Sequence, residues 1–353
     1  MPCYSGCRAV MIKNMDYCYL RNLLQDDKSK IYFDARFQFQ SDKRLSSFYK
    51  KIKGAEEKYH LREIEQFEHN NGVTSWIVYG EDDYVRYNCM LLNDCKHLVI
   101  GITTSDFLGI FDRNVEVMNS LCIEKKLAIK HVGLVVNQRD YDKLPLKVRR
   151  FKNILVLNSH VVGRTGEQYF DFFTPIENES FVDAGALDGA TTKKFINWCG
   201  EKYRCIYAFE PNPITYSDCY QNLKAYGNRI HIFDYALWHE NCELSFDNSS
   251  SKWDAKIKEY GNVVVRGEKL DNILNQKGEF YLKFDVEGSE MNALIGSENF
   301  ISTNLPRMAI SVYHEETDLF EIMNYLIHLT DKYKYAIRHY HSDSIETILY
   351  VYR

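Results

Sequence analysis

Short apolar runs alternate with longer polar stretches along the chain from residue 75 onward. Four runs rich in Val, Ile and Leu come first: SWIVYG (75–80), HLVIGITT (97–104), HVGLVVN (131–137) and NILVLN (153–158). Runs of this length and composition predict buried strands, and the polar stretches between them predict helices. Strands that alternate with helices predict a small parallel sheet covered by helices on its faces.

The same rhythm returns near residue 166 and continues to the end of the chain. Strands are predicted at 181–186, 205–210, 230–237, 280–285, 307–314, 333–341 and 346–353. Helices are predicted between the first five of these strands and after the fifth. Only the short turn HSDSIE separates the last two strands, which predicts that they pair antiparallel. The expected fold class is therefore α/β, with a doubly wound, mostly parallel seven-stranded sheet and an antiparallel last strand.

These patterns predict three parts. Residues 1–74 are polar and mixed, and we expect a mostly helical segment. Residues 75–165 carry the first set of strands and predict a smaller, Rossmann-like α/β domain. Residues 166–353 carry the second, longer set and predict the larger domain.

Composition narrows the class of protein. The chain has 353 residues, 45% hydrophobic and 26% charged, with a net charge of −5. A slightly acidic chain does not predict a nucleic-acid-binding surface. No apolar run reaches the roughly 18 residues of a membrane span, and the first residues lack the apolar core of a signal peptide. Ten cysteines without paired spacing predict reduced thiols, so we expect a cytoplasmic protein with no membrane segment.

The first strand–loop junction has lost the features of a dinucleotide site. Gly80 is followed by Glu81, Asp82 and Asp83, and the second and third glycines of a Rossmann fingerprint are missing. Three acids at this place would repel a pyrophosphate. The smaller domain is therefore expected to bind no dinucleotide and to serve as a scaffold or a substrate-side surface.

The second junction, FVDAGALDGATT (181–192), keeps its glycines but carries acids of its own. Asp183 precedes Gly185 at the end of the strand, Asp188 lies inside the loop, and Gly189 precedes the helix. A carboxylate here disfavours a diphosphate but attracts a sulfonium and an ammonium group. The loop therefore predicts S-adenosylmethionine (SAM) as the cofactor.

Acids at the ends of the next two strands fit the same cofactor. Glu210 ends the second strand, 25 residues after Gly185, where a carboxylate accepts hydrogen bonds from both ribose hydroxyls. The alternative is that Glu210 only leads a turn set by Pro211 and Pro213. Asp234 ends the third strand and could accept from the adenine amino group.

The fourth strand runs into an acidic cluster, KFDVEGSE, where chemistry is expected. Asp285 and Glu287 are candidates for a base, for hydrogen-bond acceptors of a polyol or for ligands of a divalent cation. Glu290 is interpreted as a partner of the following helix dipole. His314, at the end of the fifth strand, is a candidate general base, with a structural role as the alternative. No further ligand group with recognisable spacing completes a metal site, so no metal is expected.

Two further features concern the acceptor. Arg338, His339 and His341 lie around the last turn and either contact substrate or are exposed strand residues. No NPPY-like run, typical of enzymes that methylate amino groups of bases or Gln, follows the fourth strand. Its absence favours a hydroxyl acceptor.

The motifs of the larger domain, taken together and in order, resemble the FkbM family of SAM-dependent methyltransferases. The matching stretches include FVDAGALDGATT, YAFEPNP, YLKFDVEGSEMNAL and ISVYHEETDLFEI, and the resemblance covers about 170–353. It implies a class I methyltransferase fold, SAM as donor, and O-methylation of a hydroxyl on a saccharide or secondary metabolite. It places SAM contacts at Asp183, Gly185, Gly189 and Glu210, and the active site at Asp285, Glu287 and His314.

Other readings remain open on the sequence alone. The strand–Gly80 junction keeps a nucleotide-sugar oxidoreductase as an alternative, and a non-catalytic partner that retains the fold is another. The amino-terminal half resembles only loosely the Rossmann-like domain that precedes some FkbM enzymes. A homo-oligomer is compatible with the sequence, which does not identify the acceptor.

Overall fold

The protein divides into two compact units. The computed structural model describes residues 16–42, 58–80, 92, 98–102, 116–157, 168–249, 255–340 and 345–353. The larger unit contains residues 1–30, 167–338 and 346–353, and the smaller unit contains residues 31–166 and 339–345. Among the described residues, no helix is both long and apolar enough to cross a membrane.

The smaller unit is built on a parallel five-stranded sheet. Its strands are β1 (Ser75–Tyr79), β2 (Leu98–Ile102), β3 (Glu116–Val117), β4 (Val132–Val136) and β5 (Ile154–Val156). Their order is β3-β2-β1-β4-β5, and each neighbouring pair is parallel. This arrangement agrees with the small parallel sheet expected for this part of the chain. Glu81, Asp82 and Asp83 lie outside the described residues.

Helices occur in both halves of the described chain. Those in the first half of the chain are Tyr17–Asn22, Asp27–Asp42, Lys58–Asn71, Ser120–Leu127, Gln138–Lys143 and Leu146–Arg149. Those in the second half are Ala190–Trp198, Pro213–Leu223, Leu270–Ile273, Glu290–Ile295, Glu298–Asn304 and Asp318–Leu329. Asn212 caps one of them by accepting from the Ile214 amide (3.2 Å), and Pro213 occupies its first position.

The larger unit contains two sheets. Its strands are β6 (Ser180–Ala184), β7 (Ile206–Phe209), β8 (Ile230–Phe233), β9 (Tyr235–Leu237), β10 (Cys242–Asp247), β11 (Lys256–Ile257), β12 (Val263–Glu268), β13 (Phe280–Phe284), β14 (Arg307–Ser311), β15 (Lys334–His339) and β16 (Thr347–Tyr352). The main sheet has seven strands in the order β15-β16-β14-β13-β6-β7-β8. Its central strands are parallel, and β16 runs antiparallel to β14.

The main sheet confirms the predicted α/β fold class. The strand order reverses at β6, because the chain runs from there to β7 and β8 on one side and later to β13 and β14 on the other. In such sheets the crevice at the carboxyl ends of the two central strands is where ligands bind. A ligand crevice is therefore expected at the turns that follow β6 and β13.

One element of the larger unit was not predicted. Strands β9 to β12, which follow β8 and precede β13 along the chain, form a separate four-stranded sheet in the order β11-β10-β12-β9. The predicted strand 230–237 is consequently two strands, with Asp234 between them. The four-stranded sheet has a small core of its own, formed by Ala236, Trp238, Leu244, Phe246 and Val265.

The main sheet is held by aromatic packing against strands that are buried on both faces. Every residue of β6 and β13 is buried. Phe181 stacks on Phe195 of the helix Ala190–Trp198, with 4.2 Å between ring centroids and 10° between planes. Tyr281 and Phe170 lie against the same pair. This aromatic cluster holds the helix Ala190–Trp198 in place. The helix follows the loop that contains Gly185 and Gly189, called the glycine loop below.

Truncating the centre of this cluster should destabilise the protein strongly. Phe181→Ala removes a fully buried ring and leaves a cavity, so we expect a loss of about 3–5 kcal/mol in the free energy of unfolding. Urea denaturation followed by circular dichroism measures it. Tyr260→Ala is the control, because Tyr260 is 84% exposed and should cost about 0.5 kcal/mol or less. Equal midpoints for the two variants would contradict the assigned core.

Candidate active site

The carboxyl ends of β6 and β13 lie side by side, and their turns interlock. Asp183 pairs in register with Lys283, and Ala184 pairs with Phe284. Gly185 follows with φ +79°, and a Cβ built on it would lie 1.8 Å from the backbone oxygen of Asp285. Only glycine fits both the left-handed conformation and this close approach. The sequence feature that suggested a cofactor loop is thus a packing requirement of the two central strands.

Backbone hydrogen bonds hold the rest of the loop. The amides of Gly185 and Ala186 both donate to the Phe209 carbonyl, at 3.0 and 2.9 Å, which ties the loop to the end of β7. Gly189 starts the next helix with φ +82°. The Asp188 carboxylate accepts from the Ala190 amide at 3.0 Å, so it caps that helix.

Asp183 is neutralised inside the protein. Its Oδ1 lies 3.0 Å from the Lys283 ammonium and its Oδ2 accepts from the Thr192 hydroxyl at 2.7 Å. Both charged side chains are buried, and Lys283 also donates to the carbonyls of Ala184 (3.1 Å) and Gly185 (2.6 Å). Burial alone would lower the pKa of Lys283, but Asp183 and Asp285 outweigh it and raise the pKa above its ordinary value. Asp183 therefore shapes the loop rather than presenting a free charge.

Glu210 is the buried carboxylate that faces this loop. Its Oε2 accepts from the Leu187 amide at 2.8 Å, and its Oε1 accepts from the Asn212 amide at 2.9 Å. Burial raises the pKa of Glu210 to about 6, although these two hydrogen bonds and Thr215 oppose the shift. Leu187 adopts φ +52°, which turns its amide towards the carboxylate. Each carboxylate oxygen retains a further acceptor position.

Asp234 takes a more open position. It lies between β8 and β9 and is exposed, while Glu210 follows β7, the strand next to β8. The structure therefore places Asp234 and Glu210 after neighbouring strands, on the same edge of the sheet as the glycine loop. The Asp234 charge influences Tyr216 and Arg266.

Asp285 is held by two phenols. Tyr169 donates to Oδ2 at 2.8 Å, and the Tyr313 hydroxyl lies 3.4 Å from Oδ1. Burial raises the pKa of both tyrosines, so they remain protonated donors. Burial would also raise the pKa of Asp285, but Lys283 and His314 outweigh this and hold it below its usual range. Asp285 is therefore ionised at neutral pH.

His314 is surrounded by three carboxylates. Its Nε2 lies 3.4 Å from Glu287 and 3.7 Å from Asp285, and its Nδ1 lies 2.9 Å from Glu290. Burial alone would lower the pKa of His314, but the three carboxylates raise it to about 10. The side chain is therefore an imidazolium at neutral pH in the ligand-free protein. This state differs from the free base that its position at a strand end suggested.

Glu290 contributes more than a partner for a helix dipole. It is completely buried, and its Oε1 accepts from the Val286 amide at 2.8 Å as well as contacting His314. Glu287 adopts φ +53° and its side chain is 37% exposed. The KFDVEGSE turn thus aims Asp285, Glu287 and Glu290 at one histidine.

Several residues of this site were not singled out in the sequence. Lys283 could have been noticed, because a lysine inside a fully apolar strand needs a buried partner. Gln168 and Tyr169 come from the segment before β6, and Glu346 precedes β16. The Gln168 side chain donates a hydrogen bond to the Glu346 carboxylate. Tyr313 lies between Asp285 and Glu346, 3.5 Å from the latter. No local sequence pattern marks Gln168, Tyr169, Tyr313 or Glu346, since only the tertiary fold brings them together.

The residues around the last turn serve the scaffold where they are described. Arg338 makes an ion pair with Asp26 (3.2 Å) and donates to the Ser29 hydroxyl (3.1 Å). His339 is buried at the end of β15. His341 lies outside the described residues.

Residues 183–336 match the family model described as the Methyltransferase FkbM domain. No curated protein matches the chain. Among solved structures, methyltransferase FkbM from Methylobacillus flagellatus KT has a TM-score of 0.49 at 16% identity, and the match covers 96% of this chain and 100% of that one. A methyltransferase from Streptococcus mutans in complex with SAH has a TM-score of 0.33 at 11% identity, covering 50% and 89%.

The match over residues 183–336 confirms the resemblance to FkbM methyltransferases, and the cofactor is SAM. The residues present fit that cofactor. Gly185 and Gly189 let the loop pack against Asp285 and Leu223, and Glu210 retains acceptor positions beside the loop. Asp285 supplies a nearby fixed anion that tolerates a cationic ligand.

Breaking the buried pair beneath the loop should be costly. Lys283→Met leaves the Asp183 carboxylate buried without its ammonium, so we expect a loss of about 3–5 kcal/mol in the free energy of unfolding. Asp183→Asn combined with Lys283→Met should recover a substantial part of this loss, because neither charge is then left alone. Chemical denaturation of the wild type, Asp183→Asn, Lys283→Met and the double variant gives the coupling energy.

An exposed ion pair serves as the control for the Asp183 and Lys283 variants. Lys202→Met removes the partner of Glu177, where both side chains are more than 60% exposed, and should leave the unfolding midpoint unchanged. A Lys283→Met variant as stable as Lys202→Met would contradict the role given to the buried pair.

Proposed function

We propose that this FkbM domain transfers a methyl group from SAM to a hydroxyl, on a saccharide or a secondary metabolite. The observation that carries the proposal is the cluster of Asp285, Glu287 and His314 at the carboxyl end of β13, beside the glycine loop. A hydroxyl acceptor needs a hydrogen-bond acceptor that can take its proton as the methyl group is transferred. An ionised carboxylate that is partly exposed meets this need.

The cofactor side of the site consists of Asp183, Gly185, Gly189, Glu210 and Asp234. Gly185 and Gly189 give the loop its left-handed turns and close packing, and Asp183 supports the loop through Lys283 and Thr192. Glu210 would accept hydrogen bonds from the ribose hydroxyls and Asp234 from the adenine amino group. SAM supplies a methyl group already activated by its positively charged sulfur.

The acceptor side depends on the carboxylates rather than on the histidine as a base. Because the pKa of His314 is raised to about 10, it carries no free lone pair at neutral pH in the ligand-free protein. Asp285 receives a hydrogen bond from Tyr169 and lies close to Tyr313, whereas Glu287 is more exposed, at 37% against 21%. We therefore assign the contact with the acceptor hydroxyl to Glu287, with Asp285 and His314 fixing the local charge.

Radiolabelled methyl transfer tests the reaction. The full chain is incubated with methyl-labelled SAM and fractionated glycans, lipid-linked glycan precursors and small polyols. Label in an alkali-stable ether on a hydroxyl supports the proposal. Label confined to nitrogen or to a carboxyl ester would overturn it.

The affinity for SAM should depend on pH through Glu210. With a pKa of about 6, Glu210 is increasingly protonated below pH 6 and loses its capacity to accept from both hydroxyls. We expect the affinity to be constant above pH 7 and to fall by up to about ten-fold per pH unit below pH 6. Isothermal titration calorimetry of SAM between pH 5 and pH 8 measures this dependence.

The matched variant for this measurement is Glu210→Gln. It should bind SAM more weakly at pH 7.5, by about 1.5–3 kcal/mol, and should show little further loss between pH 7 and pH 5. Wild-type affinity in this variant, or an unchanged pH profile, would remove Glu210 from the ribose site.

Glu287 should affect the reaction more than the binding of SAM. Glu287→Gln keeps the size of the side chain but cannot take a proton, so we expect kcat to fall by about 100-fold or more with the Kd for SAM unchanged. Glu315→Gln, an exposed carboxylate one residue after His314, is the control and should retain wild-type kcat. Equal kcat in both variants would exclude Glu287 from the acceptor contact.

A further inference from the structure

A chain of three asparagine side chains leads from the four-stranded sheet to the turn that carries Glu210. Asn248 follows β10 and Asn262 precedes β12, at the same end of this antiparallel pair. The Asn248 side chain donates from Nδ2 to Asn212 Oδ1 at 3.1 Å. The backbone N–H of Asn212 donates to the Glu210 carboxylate at 2.9 Å. The four-stranded sheet is therefore linked through one residue to the carboxylate of the proposed ribose site.

Two backbone amides fix the orientation of all three side chains. The Ile214 amide donates to Asn212 Oδ1 at 3.2 Å, so the group that Asn248 turns to this oxygen is its NH₂. The backbone amide of Asn248 donates to Asn262 Oδ1 at 3.0 Å, and Asn262 Nδ2 donates back to Asn248 Oδ1 at 2.8 Å. Every contact pairs a donor with an acceptor, and exchanging oxygen and nitrogen in any of the three side chains would bring like groups together.

The Asn212 side chain is held in its orientation at a cost. It is buried, and its Nδ2 has no hydrogen-bond partner among the described residues. A buried donor without a partner is unfavourable, so the two hydrogen bonds to Oδ1 are what oppose a rotation of the amide group. One of them comes from Ile214 in the adjoining helix, whereas the other comes from Asn248, 36 residues further along the chain. Without the Asn248 donor, the turn that carries the N–H to Glu210 loses half of this support.

We propose that Asn248 is a positioning residue for SAM: through Asn212 it holds the Glu210 carboxylate where it accepts from the ribose hydroxyls. This inference rests on the proposed function, because it takes Glu210 as the ribose contact. It gives a task to the four-stranded sheet, which is separate from the main sheet and has its own core. Asn248 acts through Asn212 and not by contact with the cofactor.

Asn248→Asp tests this link at nearly constant side-chain size. The new carboxylate still accepts from Asn262 Nδ2 but has no donor for Asn212 Oδ1. Its negative charge favours a cationic ligand, so a weaker affinity for SAM cannot be caused by the added charge. Asn241→Asp is the matched control, because Asn241 lies at the other end of β10 and accepts from Asn272 Nδ2 at 2.9 Å, which a carboxylate does equally well.

Calorimetric titration of the full chain with SAM at pH 8, where Glu210 is ionised, gives the Kd of each variant. We expect Asn248→Asp to weaken SAM binding by about 3–10-fold, as for the loss of one hydrogen bond, and Asn241→Asp to bind as the wild type does. In a Glu210→Gln background, Asn248→Asp should weaken binding by about two-fold or less, because its target is already altered. A residue that only stabilised its own sheet would lower the urea midpoint and leave the Kd unchanged.

Asn262→Ala is a second variant at an exposed position, and it removes the support of Asn248 from the other side. It should weaken SAM binding by about 2–5-fold. Equal SAM affinity in Asn248→Asp, Asn262→Ala and Asn241→Asp would overturn the inference.

The Glu210→Gln background separates the two possible failures. An Asn248→Asp variant with wild-type affinity, beside a weakened Glu210→Gln, would overturn only the positioning role. An equal loss from Asn248→Asp in both backgrounds would overturn it as well, because the effect would then not pass through Glu210. Wild-type affinity in Glu210→Gln itself would overturn the ribose contact on which the inference rests.

Discussion

The buried ion pair between Lys283 and Asp183 joins the two central strands of the main sheet where both turn towards the site. Lys283 also holds the carbonyls of Ala184 and Gly185, so one ammonium group fixes the start of the glycine loop. An ion pair in a dry interior gains little net stability over apolar residues of the same volume. The pair instead fixes geometry, because it sets the position of Gly185 against Asp285. It thereby sets the distance between the glycine loop and the KFDVEGSE turn.

This arrangement changes how the acids of the site are understood. Charge complementarity to a sulfonium suggested that Asp183 itself faces the ligand, yet both of its oxygens are engaged inside the protein. The anion that remains at the crevice is Asp285, whose pKa is held low by Lys283 and His314 against the effect of burial. Lys283 therefore neutralises one carboxylate and keeps the next one charged. Glu210 shows the opposite effect: its raised pKa means that folding favours its protonated form, so ionisation costs stability as pH rises from about 4.5 to about 6.

The sequence predicted the parts of this fold whose signals are local. Apolar runs located the strands of both sheets because strands buried on both faces must be apolar throughout. Gly185 and Glu210 could be predicted as cofactor contacts because a turn and a strand end have fixed places in a doubly wound sheet. The sheet of β9 to β12 was missed, since its strands are short and only partly buried, and CELSFD gives a weak alternation. Tyr169, Tyr313 and Glu346 could not be found, because they meet Asp285 only after distant segments have packed.

His314 illustrates why residue type alone does not fix a role. A histidine at a strand end has an ordinary pKa close to neutrality and is a natural base, but three carboxylates keep it charged in the ligand-free protein. From its buried position Glu290 holds Nδ1 and leaves Nε2 directed at Asp285 and Glu287. The KFDVEGSE turn thus surrounds one imidazolium with three carboxylates, and the charge of His314 is set by these neighbours and not by its place at a strand end.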